Sequence, residues 1–226
     1  SKRGPRMAPS TVDLYRALGA HPGGKPNRAR TWRDVNPALP AIPIQVYGPP
    51  ATSGTRDALA ELILMRGCDQ VEPQAHALSL RDPDAHRLLC TPVREDGAYI
   101  DAGENDNLIV QKLQANPDAL GVFGYSYLEE NRQTVNGVTI DGIPPTYDAI
   151  AADRYPGSRL LYIYVKKAHL DAIPGLRRFL ALYAQNWGAG GPLTRRGLIA
   201  SPAPVQARAQ AIIANEIALD PARLPS

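Results

Sequence analysis

Apolar residues first recur at helical spacing over residues 9–19, where Val12, Leu14, Tyr15 and Leu18 follow the N-cap candidates Ser10 and Thr11. Gly19 marks the stop. Residues 21–30 are mostly Gly, Pro, Asn and Arg and read as an exposed loop, after which Trp32 anchors a short connection as far as Pro37. The period then changes. Residues 42–48 alternate as a strand does, small and turn-forming residues fill 49–55, and residues 58–65 predict a helix that Gly67 ends. The same order returns in looser form. Residues 98–100 are extended, 103–107 are a loop, and 108–116 are a helix broken at Asn116, Pro117 and Asp118.

Further along, residues 120–125 read as a compact strand whose Gly121 and Gly124 permit close packing, and residues 126–131 begin a short helix or turn. Residues 138–142 and 144–146 mark a hairpin-like edge and a turn, followed by a short helix over 147–152. The most strand-like run is 160–165 (Leu160, Leu161, Tyr162, Ile163, Tyr164, Val165), apolar on both faces. An amphipathic helix over 174–183 opens on Pro174. A last helix runs from Pro204 to near Leu219, and a Pro-containing coil follows. No fixed-period repeat is present. Strands alternating with helices predict an α/β fold with a largely parallel sheet. Ligands in such sheets bind beyond the strand C-termini, beside helix N-termini, which points to residues 52–56.

Composition narrows the class. With 226 residues, 44% hydrophobic and 21% charged, the chain has the balance of a globular protein and not of a disordered or collagen-like one. Its longest apolar runs, such as 160–165, are too short to cross a bilayer. It opens on Ser1, Lys2 and Arg3 with neither an initiator Met nor a signal peptide, so either a signal was removed or the sequence starts inside a longer protein. The net charge of +3 comes from scattered arginines (Arg28, Arg56, Arg94, Arg132, Arg159, Arg208), without the clustered basic and aromatic footprint of a nucleic-acid binder. His21, His76, His86 and His169 read as surface residues without metal-ligand spacing, so no metal and no cofactor is expected. Tyr125, Tyr127, Tyr162, Tyr164 and Trp187 read chiefly as packing residues, with Trp187 anchoring the glycine-rich loop at 188–191. Cys68 and Cys90 flank a segment of little periodicity; joined, they would close a loop of about 20 residues, worth on the order of 3 kcal/mol.

The turn of Thr52, Ser53, Gly54, Thr55 and Arg56 carries the chemistry. A helix N-terminus offers about four unpaired N–H groups and roughly half a positive charge. Gly54 lets a ligand approach the backbone, Ser53 and Thr55 add neutral hydroxyl donors, and Arg56 adds a permanently charged fork that matches two oxygens of an oxyanion. The plain alternative is an N-cap. No Gly-x-x-x-x-Gly-Lys-Ser/Thr loop occurs, and Gly23, Gly24 and Lys25 form part of a loop. Ser53 lacks a Gly-x-Ser-x-Gly frame and a His placed to activate it, so the chain is not expected to be an enzyme.

Residues 47–57 resemble the phosphate-binding turn of the PstS-like periplasmic phosphate-binding proteins. Residues 103–113, 121–125 and 155–165 resemble further stretches of that family in the same order. The resemblance implies a two-lobed periplasmic-binding-protein type II fold. Residues 1–157 would form mainly the second lobe, complete, and 158–226 would return to a partial first lobe. It implies a monomeric periplasmic protein that captures inorganic phosphate for a membrane ABC permease through Thr52, Ser53, Gly54, Thr55 and Arg56. Asn105 and Asp106 would stand behind them, and lobe closure would turn about the strand at 160–165. The chain has Pro49 where some members carry an Arg, and Arg56 stands in for it. The family's long opening segment, with the carboxylate that separates protonated phosphate from sulfate, has no counterpart here. Asp57 and Asp106 do not replace it: Asp57 faces Arg56 or solvent, and Asp106 caps its helix. Sulfate, molybdate or phosphonate binding, a phosphate-ester hydrolase and a fragment with half a site are the alternatives.

Overall fold

The computed structural model describes residues 1–220; the coil expected beyond that point lies outside the described residues. The chain divides into two units, Ser1–Arg159 and a second that begins at Leu160. In the first unit, α1 (Thr11–Leu18) starts with a capping box. The Ser10 hydroxyl accepts from Asp13 N at 3.0 Å while the Asp13 carboxylate accepts from Ser10 N at 2.9 Å. Its Leu14, Tyr15 and Leu18 enter a core that also holds Trp32, Ile44, Val46, Leu59, Ile63 and Leu64. Trp32 begins a one-turn helix, α2 (Trp32–Val35), where the sequence predicted only a connection.

The sheet is parallel throughout, with β1 (Val46–Gly48) between β2 (Tyr99–Asp101) and β3 (Leu120–Gly121). β1 is shorter than the alternation over 42–48 predicts. Its first half pairs elsewhere: Trp32 N donates to Ile42 O at 3.1 Å and Ile44 N to Arg30 O at 2.8 Å. β3 also stops early, because the chain leaves the sheet for the helix capped at Gly124.

After the loop that follows β1, the chain is helical without a break from Gly54 through α3 (Gly54–Ala58), a π-helical turn (Leu59–Leu64) and α4 (Met65–Val71). Gly67 therefore does not end this helix. It lets α4 close on α1, since a Cβ there would stand 2.3 Å from Thr11 O and 2.6 Å from Tyr15 Cβ. Gly67→Ala is expected to cost about 1–3 kcal/mol by overpacking. A thermal midpoint equal to that of the unchanged chain would show that the two helices part freely.

Residues 68–90, aperiodic in sequence, are also largely helical: α5 (Ala75–Arg81) and α6 (Pro83–Cys90) follow α4. Exposed Leu80 and Leu88 blur their apolar faces, which is why periodicity missed them. Asp82 caps α6 by accepting from Ala85 N at 3.0 Å, with Pro83 at the first position. A disulfide joins Cys68 to Cys90, both fully buried. His86, expected at the surface, is buried and shares a 2.7 Å hydrogen bond with Asp69.

β2 leads into α7 (Asp106–Ala115), and β3 into α8 (Tyr125–Glu130). α7 packs Ile109, Val110 and Leu113 with Ala102, Ala119 and Val135 in a second core cluster. The hairpin-like turn is present: Ile140 and Ile143 form a bridge, with Asp141 and Gly142 at φ of 50° and 76°. α9 (Tyr147–Ala151) follows, capped by Thr146.

In the second unit, residues 160–165 form no strand among the described residues, and Leu161, Tyr162 and Tyr164 are exposed rather than packed. The unit continues through α10 (His169–Ala172), α11 (Leu176–Asn186) and α12 (Ala203–Ala214). Trp187 ends α11 and meets Tyr183 edge to face at 5.5 Å. α12 stops short of Leu219 because Glu216 turns the chain with a φ of 49°, and Ile217 N returns to Ile212 O at 3.1 Å. No helix among the described residues is long and apolar enough to cross a membrane.

Candidate functional site

The C-terminal ends of the three strands run into the N-termini of α3, α7 and α8. The loop after β1, the central strand, is therefore flanked by the loops after the other two. Side chains tie them together. The Thr52 hydroxyl donates to Glu104 Oε1 at 3.1 Å, linking the first loop to the second. Gly124 N donates to Asp106 Oδ2 at 3.3 Å, linking the second to the third.

At the middle loop, Ser53 is the N-cap of α3, buried to 9% exposure. Its Oγ accepts from Thr55 N at 3.3 Å, and its carbonyl accepts from Asp57 N at 3.1 Å. Among the described residues the N–H groups of Gly54 and Arg56 have no acceptor, so this end keeps unpaired donors and the positive pole of an 18-residue helical run, residues 54–71. Gly54 is exposed and Thr55 half-buried.

Arg56 is held in place by an aromatic plate. Its guanidinium carbon lies 3.8 Å from the centre of the Tyr99 ring, a cation–π contact. Tyr99 is fixed in turn by its hydroxyl, which donates to Pro49 O at 2.8 Å. Gly48 makes this possible, since a Cβ there would stand 2.2 Å from the Tyr99 oxygen. Burial pushes the Tyr99 hydroxyl above its ordinary pKa, against the opposing pull of Arg56, so the ring is neutral under Arg56 at physiological pH. Sequence reading did not single out Tyr99; its only signal is an aromatic on the strand beside the turn.

The structure thus brings Ser53, Gly54, Thr55 and Arg56 together and commits the Thr52 hydroxyl to Glu104. Asn105, not Asp106, caps α7, accepting from Asn107 N at 3.0 Å. Asp106 reaches across to Gly124, and burial, with repulsion from Glu104 as a smaller cause, raises its carboxyl above the usual range. Asp57 is exposed. Two residues missed in the sequence also belong here: Glu104, and Arg159, whose Nη2 donates to Gly54 O at 3.0 Å. Elsewhere, Asp69, His86 and Cys90 converge to within 4.8 Å of one another, but the Cys90 sulfur is taken by the disulfide and the His86 Nε2 by Asp69.

An open parallel sheet feeding helix N-termini, with hydroxyl, glycine and guanidinium gathered at the central one, is the arrangement of an α/β ligand-binding protein. The chain belongs to the PBP superfamily, whose domain model matches residues 24–186. It is 27% identical over 166 residues to the phosphate-binding protein PstS of Staphylococcus saprophyticus, covering 71% of this chain and 43% of that one. It is likewise 27% identical over 210 residues to protein SphX of Synechococcus elongatus, covering 90% and 52%. The chain thus spans about half the length of the curated relatives it matches. Among solved structures, a possible phosphate binding protein from Planctomyces limnophilus superposes with a TM-score of 0.59 at 23% identity, covering 96% of this chain and 67% of that one. PstS from Borrelia burgdorferi gives 0.54 at 16% identity, covering 88% and 67%.

Proposed function

We propose that the chain captures inorganic phosphate outside the cytoplasm and delivers it to a membrane ABC permease, binding the ion at residues 52–56 without chemical turnover. The observation that carries this reading is the N-terminus of α3. Unpaired N–H groups, the Ser53 and Thr55 hydroxyls and an Arg56 fixed on Tyr99 together offer neutral and charged donors to one oxyanion. Relatives named for phosphate binding support the choice of ion. Glu104 supports it chemically, because a carboxylate at the rim of the turn accepts the proton that monohydrogen phosphate carries and repels sulfate, which has none. The buried disulfide supports an oxidising compartment. The unit ending at Arg159 is, on this reading, the anion-holding lobe.

Calorimetric titration of the chain with phosphate and with sulfate tests the reading. Phosphate is expected to bind saturably and more tightly. Equal affinities would remove the claim for phosphate, and steady release of phenol from a phenyl phosphate ester would replace the binder with a hydrolase. Arg56→Ala is expected to weaken phosphate by about 1.5–3 kcal/mol, the worth of hydrogen bonds from a charged group, with no change in the stability measured without phosphate beyond the loss of one ring contact.

A further inference from the structure

We propose that Cys68, Asp69, His86 and Cys90 form a zinc site in the reduced chain, which closure of the disulfide dismantles. The site is independent of the phosphate reading and of the turn at residues 52–56. Its ground is the meeting of two helices. α4 carries Cys68 and Asp69 side by side, and α6 carries His86 and Cys90 four residues apart, on one face. Ligand atoms of Asp69, His86 and Cys90 lie within 4.8 Å of one another, and Cys68 joins them through its bond to Cys90. Two thiolates, an imidazole and a carboxylate are donors that zinc takes in fourfold coordination.

Burial separates this cluster from a chance gathering of surface groups. Cys68 and Cys90 are 0% exposed and His86 4%, while the Asp69 side chain is 38% exposed. The sulfur and nitrogen donors are thus shielded from water, and the carboxylate leaves a way in for an ion. Among the described residues Asp69 is the one side chain that His86 bonds, and Arg87, next to it in sequence, is drawn to Glu61 at 2.7 Å. With Zn–N and Zn–O bonds of about 2.0–2.1 Å, two ligand atoms of a tetrahedral site stand about 3.3 Å apart. The 2.7 Å contact between His86 and Asp69 therefore opens by only about half an ångström to admit the ion. The Cα atoms of Cys68 and Cys90 are 5.5 Å apart, and rotation about χ1 can part the sulfurs once they are reduced.

The two closures exclude each other, and their exchange balances. Zinc binds both sulfurs as thiolates and displaces two protons to solvent. When the Cys68–Cys90 bond forms, each thiolate gives up one electron. A small-molecule disulfide takes both and leaves as two thiolates, and zinc departs as Zn2+ with its charge unchanged. Either closure ties α4 to α6, the disulfide where the surroundings are oxidising and the metal where thiols stay reduced.

Cobalt(II) reports on such a site, because it accepts the same tetrahedral donors and is coloured. The full chain, reduced with a phosphine and freed of it under argon, is titrated with Co2+ and then with Zn2+. One Co2+ per chain is expected, with thiolate-to-cobalt charge-transfer bands and the strong d–d bands of tetrahedral coordination, all lost when Zn2+ is added. The disulfide-closed chain should show none of these bands, and oxidised glutathione should release the metal from the reduced one. His86→Ala is expected to weaken Zn2+ about 100-fold and Asp69→Asn about 10-fold. A reduced chain that keeps its helical circular dichroism and binds no Co2+ would overturn the proposal. So would a reduced chain that loses that signal and does not regain it with Zn2+, or His86→Ala and Asp69→Asn chains that hold Zn2+ at the original affinity.

Discussion

Trp32→Ala is expected to lower the unfolding free energy by about 3–5 kcal/mol, the range for deleting a large aromatic from a packed core. Trp32 is wholly buried at the first position of α2. Its backbone is pinned as well: Thr31 and Asp34 cap the helix reciprocally, and Trp32 N donates to Ile42 O at 3.1 Å. The chain therefore cannot easily collapse into the space that alanine would leave. Trp32→Phe makes the informative contrast. The indole Nε1 has no hydrogen-bond partner among the described residues, and a buried unpaired N–H costs about 1–3 kcal/mol. Phenylalanine removes that donor while keeping most of the ring, so its cost should be well under half that of alanine. Urea unfolding followed by circular dichroism reads both, with midpoints falling and slopes unchanged. Equal losses for Phe and Ala would mean that a six-membered ring at this position recovers none of the packing that the indole supplies.

The order of elements around the turn at residues 52–56 was legible because it rests on local signals. The alternation into Val46, the small residues after Gly48 and the periodic run after Ala58 each obey a short-range rule. What was not legible depends on partners distant in sequence. Glu104 joins Thr52 across 52 positions and Arg159 joins Gly54 across 105, and no periodicity encodes either pairing. Gly67 shows the reverse error. As punctuation it ends a helix, but here it is the contact point of two helices, a role visible only once α1 is in place. Residues 160–165 carry the strongest strand pattern in the chain and form none. Strand propensity records how side chains fit a pleated, half-buried surface, and among the described residues no neighbouring strand offers that surface to Leu161, Tyr162 or Tyr164.

Arg94→Met should be nearly as damaging as Trp32→Ala, for a different reason. Arg94 is 7% exposed, and its Nη1 donates to Ala17 O at 3.1 Å and to Ala29 O at 2.9 Å. The first of these is a last-turn carbonyl of α1, where a cation also suits the helix dipole. Nε donates to Asp96 Oδ1 at 2.8 Å, and Nη2 bonds the other carboxylate oxygen. Methionine fills the space of the stem but strands Ala29 O, and leaves Ala17 O only the 3.4 Å bond from Asn27 Nδ2, at about 1–3 kcal/mol for each carbonyl; the half-exposed Asp96 passes to water and adds little. A total loss of about 3 kcal/mol is expected, and pH divides it. The hydrogen bonds from Arg94 hold the Asp96 carboxyl below its usual range, against the effect of partial burial. A carboxyl lowered by folding contributes its stability above the unfolded value, near 3.9, and loses it as pH falls through the folded one. The gap between the original chain and Arg94→Met should therefore narrow slightly in acid and keep most of its size, because the stranded carbonyls do not titrate. A gap that closed completely in acid would assign the whole effect to the ion pair and none to the backbone it spans.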